Sequence, residues 1–447
     1  MAKLKIQGFL SFKNAEILTN DLTVLIGPQA QGKSVIAKLV HYFETLVRRC
    51  FVEVISGDTT IPALRKQFVE RFTDLFPRHS WSAEPFEITY SQDGWTFQIT
   101  RDGIRSNASI RLDLSGPFES LLKADAKSFK TQLKKSLTQK GGYSQGTMSR
   151  RLMRSFFADR EQIHPYLAEQ VFIPASRSFF ANIEKNIFSL ISSKFDIDPL
   201  IAEFGATLEQ MRIRNHISAR TLNSRQSTKR SPDTLVKDWK EIINGDYLFN
   251  GKDEFIVTHG RTVRLSNSSS GQQEVLPLLL ALGAQTTRFS NLQFGGTSFF
   301  IEEPEAHLFP YAQKSIAELL AKKLNEMDLD GTGTTLKTCN RVLVTTHSPY
   351  ILTALNNLML AGQLYNSTTV ASNAIEKITP REISINPKKV SAYKVIDGNA
   401  KSILNSETEL IDSYLIDEIS EVFAKDFDKL LELQMKGSAQ KSTRIGA

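Results

Sequence analysis

Gly27-Pro28-Gln29-Ala30-Gln31-Gly32-Lys33-Ser34 is the stretch on which the fold turns. Its spacing is G-x-x-x-x-G-K-[ST], and the chemistry explains each fixed position. Gly27 and Gly32 permit backbone angles that bring successive N–H groups onto phosphate oxygens. Lys33 reaches the outer phosphates, and the Ser34 hydroxyl can ligate Mg²⁺. The flanks agree. Leu22–Ile26 is a continuous apolar run, as in a strand buried on both faces. From Ser34 to Val47 apolar residues recur at helical spacing, namely Val35, Ile36, Leu39, Val40, Phe43, Leu46 and Val47. A strand, a glycine-rich loop and a helix with its positive end at the loop form a triphosphate cradle. A chance Gly-Lys-Ser turn would lack both flanks.

Upstream, Leu4 to Phe12 and Ala15 to Leu18 read as short strands joined at the polar Lys13-Asn14. Downstream, residues 60–76 predict an amphipathic helix, and 86–114 an antiparallel hairpin region with turns at Gln92-Asp93-Gly94 and Asp102-Gly103. Residues 117–165 read as helical and basic, broken at Gly141-Gly142. Val171 to Ile173 reads as a strand ended by Pro174. Residues 180–248 read as mostly helical and polar, with a weak loop near 224–232. Strands are expected at 254–257, 262–265, 297–301 and 341–345, and helices after Gly271, over 310–325 and from Pro349, with a loop at Gly331-Thr332-Gly333. The tail predicts an amphipathic helix over about 407–433.

Three further motifs bear chemistry. Phe299-Phe300-Ile301-Glu302-Glu303-Pro304-Glu305 runs an apolar strand into paired carboxylates. Behind a P-loop, the first acid, Glu302, suits the Mg²⁺ site, and the second, Glu303, can polarise the attacking water. Val342-Leu343-Val344-Thr345-Thr346-His347-Ser348-Pro349 ends a buried strand on a histidine, with Ser348 as N-cap and Pro349 at the first helical position. Ser266-Asn267-Ser268-Ser269-Ser270-Gly271-Gln272 is a hydroxyl-rich loop before a helix. It can bind an anion, and an ordinary N-cap explains it equally well.

Composition bounds the partners. The 447 residues are 41% hydrophobic and 23% charged, which excludes disorder as the main state. No run reaches the ~18 apolar residues of a membrane span. The N-terminus lacks a secretory apolar region, and Cys50 and Cys339 are the only cysteines, so a reducing, cytoplasmic setting without disulfides or cysteine-bound zinc is expected. The net charge is +7 but unevenly spread: 121–160 carries +8 and 211–230 carries +6, leaving −7 for the remainder. Two basic segments on an acidic body suit nucleic acid or an acidic protein, or are two solvated helical faces.

In this order the motifs resemble the ABC-type ATPase heads of the SMC, RecF and OLD-like class. Phe9 and Phe12-Lys13 resemble that class's first strands. Ser269-Ser270-Gly271-Gln272-Gln273 resembles a degenerate signature loop. Glu302 to Leu308 is similar to the Walker B and D-loop of OLD-like ATPases, and Thr345 to Pro349 to their switch-histidine strand. The resemblance implies an α/β P-loop head, a mixed sheet with flanking helices plus an antiparallel β lobe and helical insertions. It implies an N-terminal lobe over 1–180, a helical lid or docking insertion over 181–250, a C-terminal lobe over 251–400, and a C-terminal helix and tail over 401–447. ATP and Mg²⁺ are the implied cofactors. Gly27 to Ser34 of one subunit would bind ATP, and Ser269, Ser270, Gly271 and Gln272 of a second would close over it head to tail. Ser34 and Glu302 would hold Mg²⁺, Glu303 would activate water, and His347 would meet the γ-phosphate.

The chain also departs from the class. Where a Q-loop glutamine is usual, Pro174-Ala175-Ser176-Arg177 stands instead, with Ser176 or Arg177 as the possible substitute. The metal aspartate is Glu302, and Ser270 stands where a glycine is usual. No strand-bounded Asp-x-Asp pair of an appended nuclease follows His347, so none is expected within this chain. What remains resembles stand-alone ATPase subunits of anti-phage systems such as Septu and PARIS, which hold a separate effector, often a nuclease. Two other readings stay open: a RecF-like repair ATPase on duplex DNA, and a nucleotide-gated scaffold with little hydrolysis.

Overall fold

The computed structural model describes residues 1–82, 84–103, 109–139, 145–158, 160–182, 197–222, 239–283, 296–329, 335–337, 340–367 and 371–412, with 425, 427 and 429. Within these ranges the chain has a P-loop α/β architecture with a mixed sheet, an antiparallel β lobe and helical insertions, as the sequence implies.

Strands β1 (Ala2–Phe9) and β2 (Phe12–Thr19) pair antiparallel. Their turn lies at Leu10-Ser11 rather than at Lys13-Asn14. Leu10 takes a left-handed φ of 52°, so the reversal comes early and β2 starts at Phe12. β3 (Leu22–Ile26) leads through the glycine-rich loop into α1 (Lys33–Arg49), and α2 (Ile61–Leu75) follows, N-capped by Thr60. β4 (Phe86–Gln92), β5 (Trp95–Arg101) and β6 (Ile110–Leu114) complete an antiparallel sheet in the order β2-β1-β4-β5-β6. α3 (Gly116–Gln139) and α4 (Gln145–Ala158) form the basic insertion.

β7 (Glu169–Ile173), the short α5 (Phe179–Asn182) and α6 (Pro199–Leu222) come next. They are followed by the small sheet of β8 (Asp246–Phe249), β9 (Glu254–Thr258) and β10 (Arg261–Arg264). β8 lies where the sequence reads as helical. Further elements are α7 (Ser270–Gly283), β11 (Thr297–Glu302), α8 (Pro310–Asn325), β12 (Met327–Leu329), β13 (Thr335–Lys337), β14 (Arg341–Thr346), α9 (Pro349–Asn366), the short helix α10 (Ser372–Glu376), β15 (Val390–Ile396) and β16 (Asn399–Ser402).

The second sheet has the order β16-β15-β3-β14-β11-β7. Every pairing from β15 to β7 is parallel, and only β16 is antiparallel. All six residues of β11 are buried, because the strand is covered on both faces. Phe300 joins the core formed by α1 and the antiparallel sheet. Phe299 and Ile301 point the other way, into a second core with α7, α8 and α9. α1 is thus sandwiched between two sheets and held by Ile36, Val40 and Phe43.

The expected tail helix does not begin at 407. Asn405 to Ile411 form turns closed by a bridge between Leu404 and Ile411, and Asn356 on α9 bonds both backbone groups of Ile411. The rest of that segment to 433, the break at Gly141-Gly142, the loops at 224–232 and 331–333 and Cys339 lie outside the described residues, apart from 425, 427 and 429. Among the described residues no helix is long and apolar enough to cross a membrane.

Candidate active site

The loop between β3 and α1 is shaped by close approach. Gly27 has φ 156°, and a Cβ there would lie 2.1 Å from the Val395 carbonyl oxygen of β15. Gly32 has φ 92°, and a Cβ there would lie 2.5 Å from the Phe12 ring. Any side chain at either position collides, and at Gly32 the left-handed backbone adds strain. Gln31 is braced as well, since the Asp397 N–H donates to its Oε1 at 2.7 Å. Gly32 is the N-cap of α1 and supplies no capping side chain, so the first N–H groups of α1 face the loop. Pro28, Gln29, Ala30 and Ser34 are exposed.

Lys33 is 5% exposed. Its Nζ donates to the carbonyls of Gly27 (2.8 Å) and Pro28 (2.7 Å). Burial lowers its pKa, and the carboxylates of Glu303 and then Glu305 oppose that shift. The cation therefore sits in the loop and within the field of the acids that end β11.

Glu302 is buried at the end of β11. Its Oε2 accepts from the Ala175 N–H at 3.2 Å, while Oε1 is buried with no hydrogen-bond partner among the described residues. Glu303 turns out of the strand with φ 44°, a left-handed conformation that costs a non-glycine residue about 1–2 kcal/mol. Its N–H is anchored on the Thr345 carbonyl at 2.9 Å. Its Oε1 lies 3.3 Å from His347 Nε2, and both side chains are partly open to solvent. Glu305, the last acid of the motif, has a task that the spacing alone does not indicate. It accepts from Thr346 Oγ1 and from the His347 N–H, both at 2.7 Å, and so fixes the end of β14. Ser348 caps α9, as the Ser-Pro pair indicates.

The 269–272 loop is a reciprocal capping box. The Gln272 N–H donates to Ser269 Oγ at 3.3 Å, and the Ser269 N–H donates to Gln272 Oε1 at 3.2 Å. The ordinary N-cap reading is thus satisfied by geometry, while Ser269 and Ser270 remain exposed. A Cβ on Gly271 would lie 2.7 Å from the His307 carbonyl oxygen. Among the described residues no hydrogen bond joins 27–34 to 269–272.

Ser176 is exposed, with φ 57°. Arg177 is fully buried and bonds backbone carbonyls, so its guanidinium does not face the P-loop. Of the basic segments, α3 buries Phe118, Leu122, Phe129 and Leu133, and exposes Lys123, Lys127, Lys130 and Lys134 on the opposite face. Arg212 is not a solvated charge. It is mostly buried and donates to Glu254 at 2.5 Å. The side chains of Arg214 and Arg220, and residues 225, 229 and 230, lie outside what is described.

The chain is 11% identical to the SmcHead bound to the C-winged helix domain of ScpA, with a TM-score of 0.38, covering 91% of this chain and 98% of that one. It is also 11% identical to the SMC head domain from Thermotoga maritima, with a TM-score of 0.35 and coverage of 90% and 97%. To the recombination mediator RecF-ATPrS of the RecFOR pathway it is 12% identical, with a TM-score of 0.35 and coverage of 90% and 97%. No curated protein matches it. Residues 22–353, which contain the P-loop, the acids ending β11 and His347, match a family model, and the chain belongs to that family, described as "AAA domain, putative AbiEii toxin, Type IV TA system".

Proposed function

We propose that this chain binds and hydrolyses ATP with Mg²⁺. One observation carries the reading: Lys33, Glu302, Glu303 and His347 lie at or just beyond the carboxyl ends of three neighbouring parallel strands, β3, β11 and β14. Ligands of open α/β sheets bind at that edge. The residues fit the metal. Mg²⁺ takes one or two protein oxygens beside the phosphates, and Glu302 Oε1 is a buried carboxylate oxygen without a hydrogen-bond partner among the described residues. Ser34 and Glu302 would hold the ion, which neutralises charge on the phosphates when bound. Gly27 to Ser34 orient the triphosphate through backbone N–H groups. Glu303 takes a proton from water, and its contact with His347 keeps the carboxylate oriented. His347 meets the γ-phosphate.

The exposure of Ser269 and Ser270 supports closure of Ser269–Gln272 over a second subunit's nucleotide, giving a head-to-tail dimer or larger assembly. In this reading the head is the nucleotide-dependent core of an anti-phage complex. It holds a separate effector, a nuclease, and works in the cytoplasm. The exposed lysine face of α3 favours a second reading, a RecF-like ATPase on duplex DNA. The inward-turned Arg177 favours a third, a gated scaffold with little hydrolysis. Phosphate release by the full chain with Mg²⁺, and again with EDTA, tests the proposal. Mg²⁺-dependent release that Lys33→Ala abolishes supports it; no release leaves the scaffold reading.

A further inference from the structure

Arg177 has no solvent exposure. Its Nε donates to the Glu274 carbonyl at 2.9 Å, and its Nη1 to the carbonyls of Pro174 (3.0 Å) and Glu302 (2.7 Å). Its Nη2 donates to the Glu303 carbonyl at 2.9 Å. Its own N–H donates to the Glu274 carboxylate at 2.8 Å. One planar fork thereby ties three segments: the loop after β7, helix α7 and the end of β11. Burial lowers the Arg177 pKa, and Glu274 leads the carboxylates that oppose the shift.

Two of these ties bear on the site. Glu303 holds a left-handed backbone between two anchors, Thr345 on its N–H and Arg177 on its carbonyl. Glu274 lies on α7, five residues after Ser269 caps that helix. Any shift of the α7 N-terminus carries Glu274, and Arg177 carries the displacement to the Glu303 backbone. Packed side chains without slack transmit such shifts instead of absorbing them.

We infer that Arg177 is a positioning residue that couples the 269–272 loop to Glu303, so that seating this loop on a second subunit's nucleotide sets the water-activating carboxylate of its own subunit. The inference rests on the proposed ATPase reading. It makes the two sites of a dimer interdependent.

The test uses the full chain and two variants. Glu274→Gln keeps shape and one accepting oxygen but loses the carboxylate charge that pairs with Arg177 Nε at 3.7 Å. Arg177→Lys keeps the charge but cannot span four carbonyls. ATP affinity is measured by titration, turnover against ATP concentration, and Tm by calorimetry. Expected are an unchanged ATP Kd, a kcat lowered by up to ~10²-fold, the cost of a misplaced catalytic group, and a Hill coefficient falling to about 1, the value for independent sites. A fall in kcat accompanied by a raised ATP Kd and a lowered Tm overturns the coupling and leaves a structural role. Variants that keep both kcat and cooperativity overturn it too. If Arg177→Lys does not fold, Glu274→Gln alone decides. A wild type that releases no phosphate overturns the ATPase reading, and the coupling falls with it.

Discussion

His347 Nε2 lies 3.3 Å from Glu303 Oε1, and the His347 N–H is held by Glu305 at 2.7 Å. One carboxylate thus meets the imidazole while another fixes its backbone. The two acids on either side of Pro304 have different tasks, and Glu302, pointing inward, has a third.

Replacing these acids separates the tasks. Glu303→Gln keeps the shape but removes the base, and lowers kcat by roughly 10²–10⁴-fold, the range for a general base, with ATP affinity retained. Glu302→Gln weakens Mg²⁺ dependence instead and raises the Mg²⁺ concentration needed for half-maximal rate. Because Glu303 and His347 touch, Glu303→Gln/His347→Ala loses less than the two single effects combined. Indistinguishable Mg²⁺ titrations of Glu302→Gln and Glu303→Gln contradict the assignment.

A shared site is tested by mixing crippled subunits. Gly271→Asp is unsuitable, since a Cβ there meets the His307 carbonyl oxygen at 2.7 Å and disturbs the acidic strand end of its own subunit. Ser270→Glu is preferable. Ser270 is exposed in the first turn of α7, where an acid favours the helix dipole yet repels phosphate. Lys33→Ala and Ser270→Glu are each inactive alone. In an equal mixture half the dimers are mixed and each holds one intact composite site, a ceiling of about a quarter of wild-type turnover. The Arg177 coupling lowers the recovered rate below that ceiling, because the intact site's own loop has no nucleotide to seat on. Mixed dimers that ATP does not stabilise over the dimers of either variant alone count against head-to-tail closure.

Much of this is legible in the sequence, and the exceptions share a cause. The P-loop, the Glu302-Glu303 strand end and the His347 strand can be read because local spacing dictates them. So can α8, whose bounds Pro310 and Asn325 match the expected helix. The place of β15 beside β3 cannot, because a pairing between residues 390–394 and 22–26 has no local signal. Arg177 misleads for the same reason. Its position after β7 suggests a substitute for a nucleotide-binding glutamine, whereas its partners, Pro174 apart, come from residues about a hundred or more positions away. Arg212 reads as surface charge because its partner Glu254 lies 42 residues on, at the start of β9.

The lysine face of α3 makes a salt-dependent prediction. Lys123, Lys127, Lys130 and Lys134 share one face and span roughly 16 Å at 1.5 Å per residue. Lys127, Lys130 and Lys134 have no ion pair among the described residues, while Lys123 meets Glu119 at 3.4 Å. Changing those three to Gln leaves ATP turnover near wild type. It weakens duplex DNA binding and reduces the slope of log affinity on log salt by about one for each phosphate that is no longer neutralised. Equal affinities of wild type and variant at low salt would mean that the face is only solvated.

His41 sets a pH dependence. Burial, with Arg71 as the lesser cause, holds its pKa down to about 3 from 6.5. Its ring packs edge-on against Phe172 and Phe300. The unfolded chain binds a proton here below pH 6.5 and the folded chain does not, so the stabilisation is full above pH 6.5 and is lost as pH falls toward 3. At about 1.4 kcal/mol per pH unit, this one residue costs roughly 2 kcal/mol at pH 5. His41→Leu flattens the fall in Tm between pH 7 and pH 5. An unchanged slope would place the acid sensitivity elsewhere.

The close approach of Gly27 to Val395 also bears on the order in which the molecule becomes competent. The cradle is encoded by residues 27–34, yet its walls include Phe12 on one side of it in sequence and Val395 and Asp397 far along the other. A fragment trimmed to the family-matched residues 22–353 would leave β3 an apolar open edge, which invites aggregation. During synthesis the phosphate-binding loop is translated first and walled in last. A cradle complete in all its walls then marks a chain made at least as far as Asp397, some 370 residues beyond Gly27.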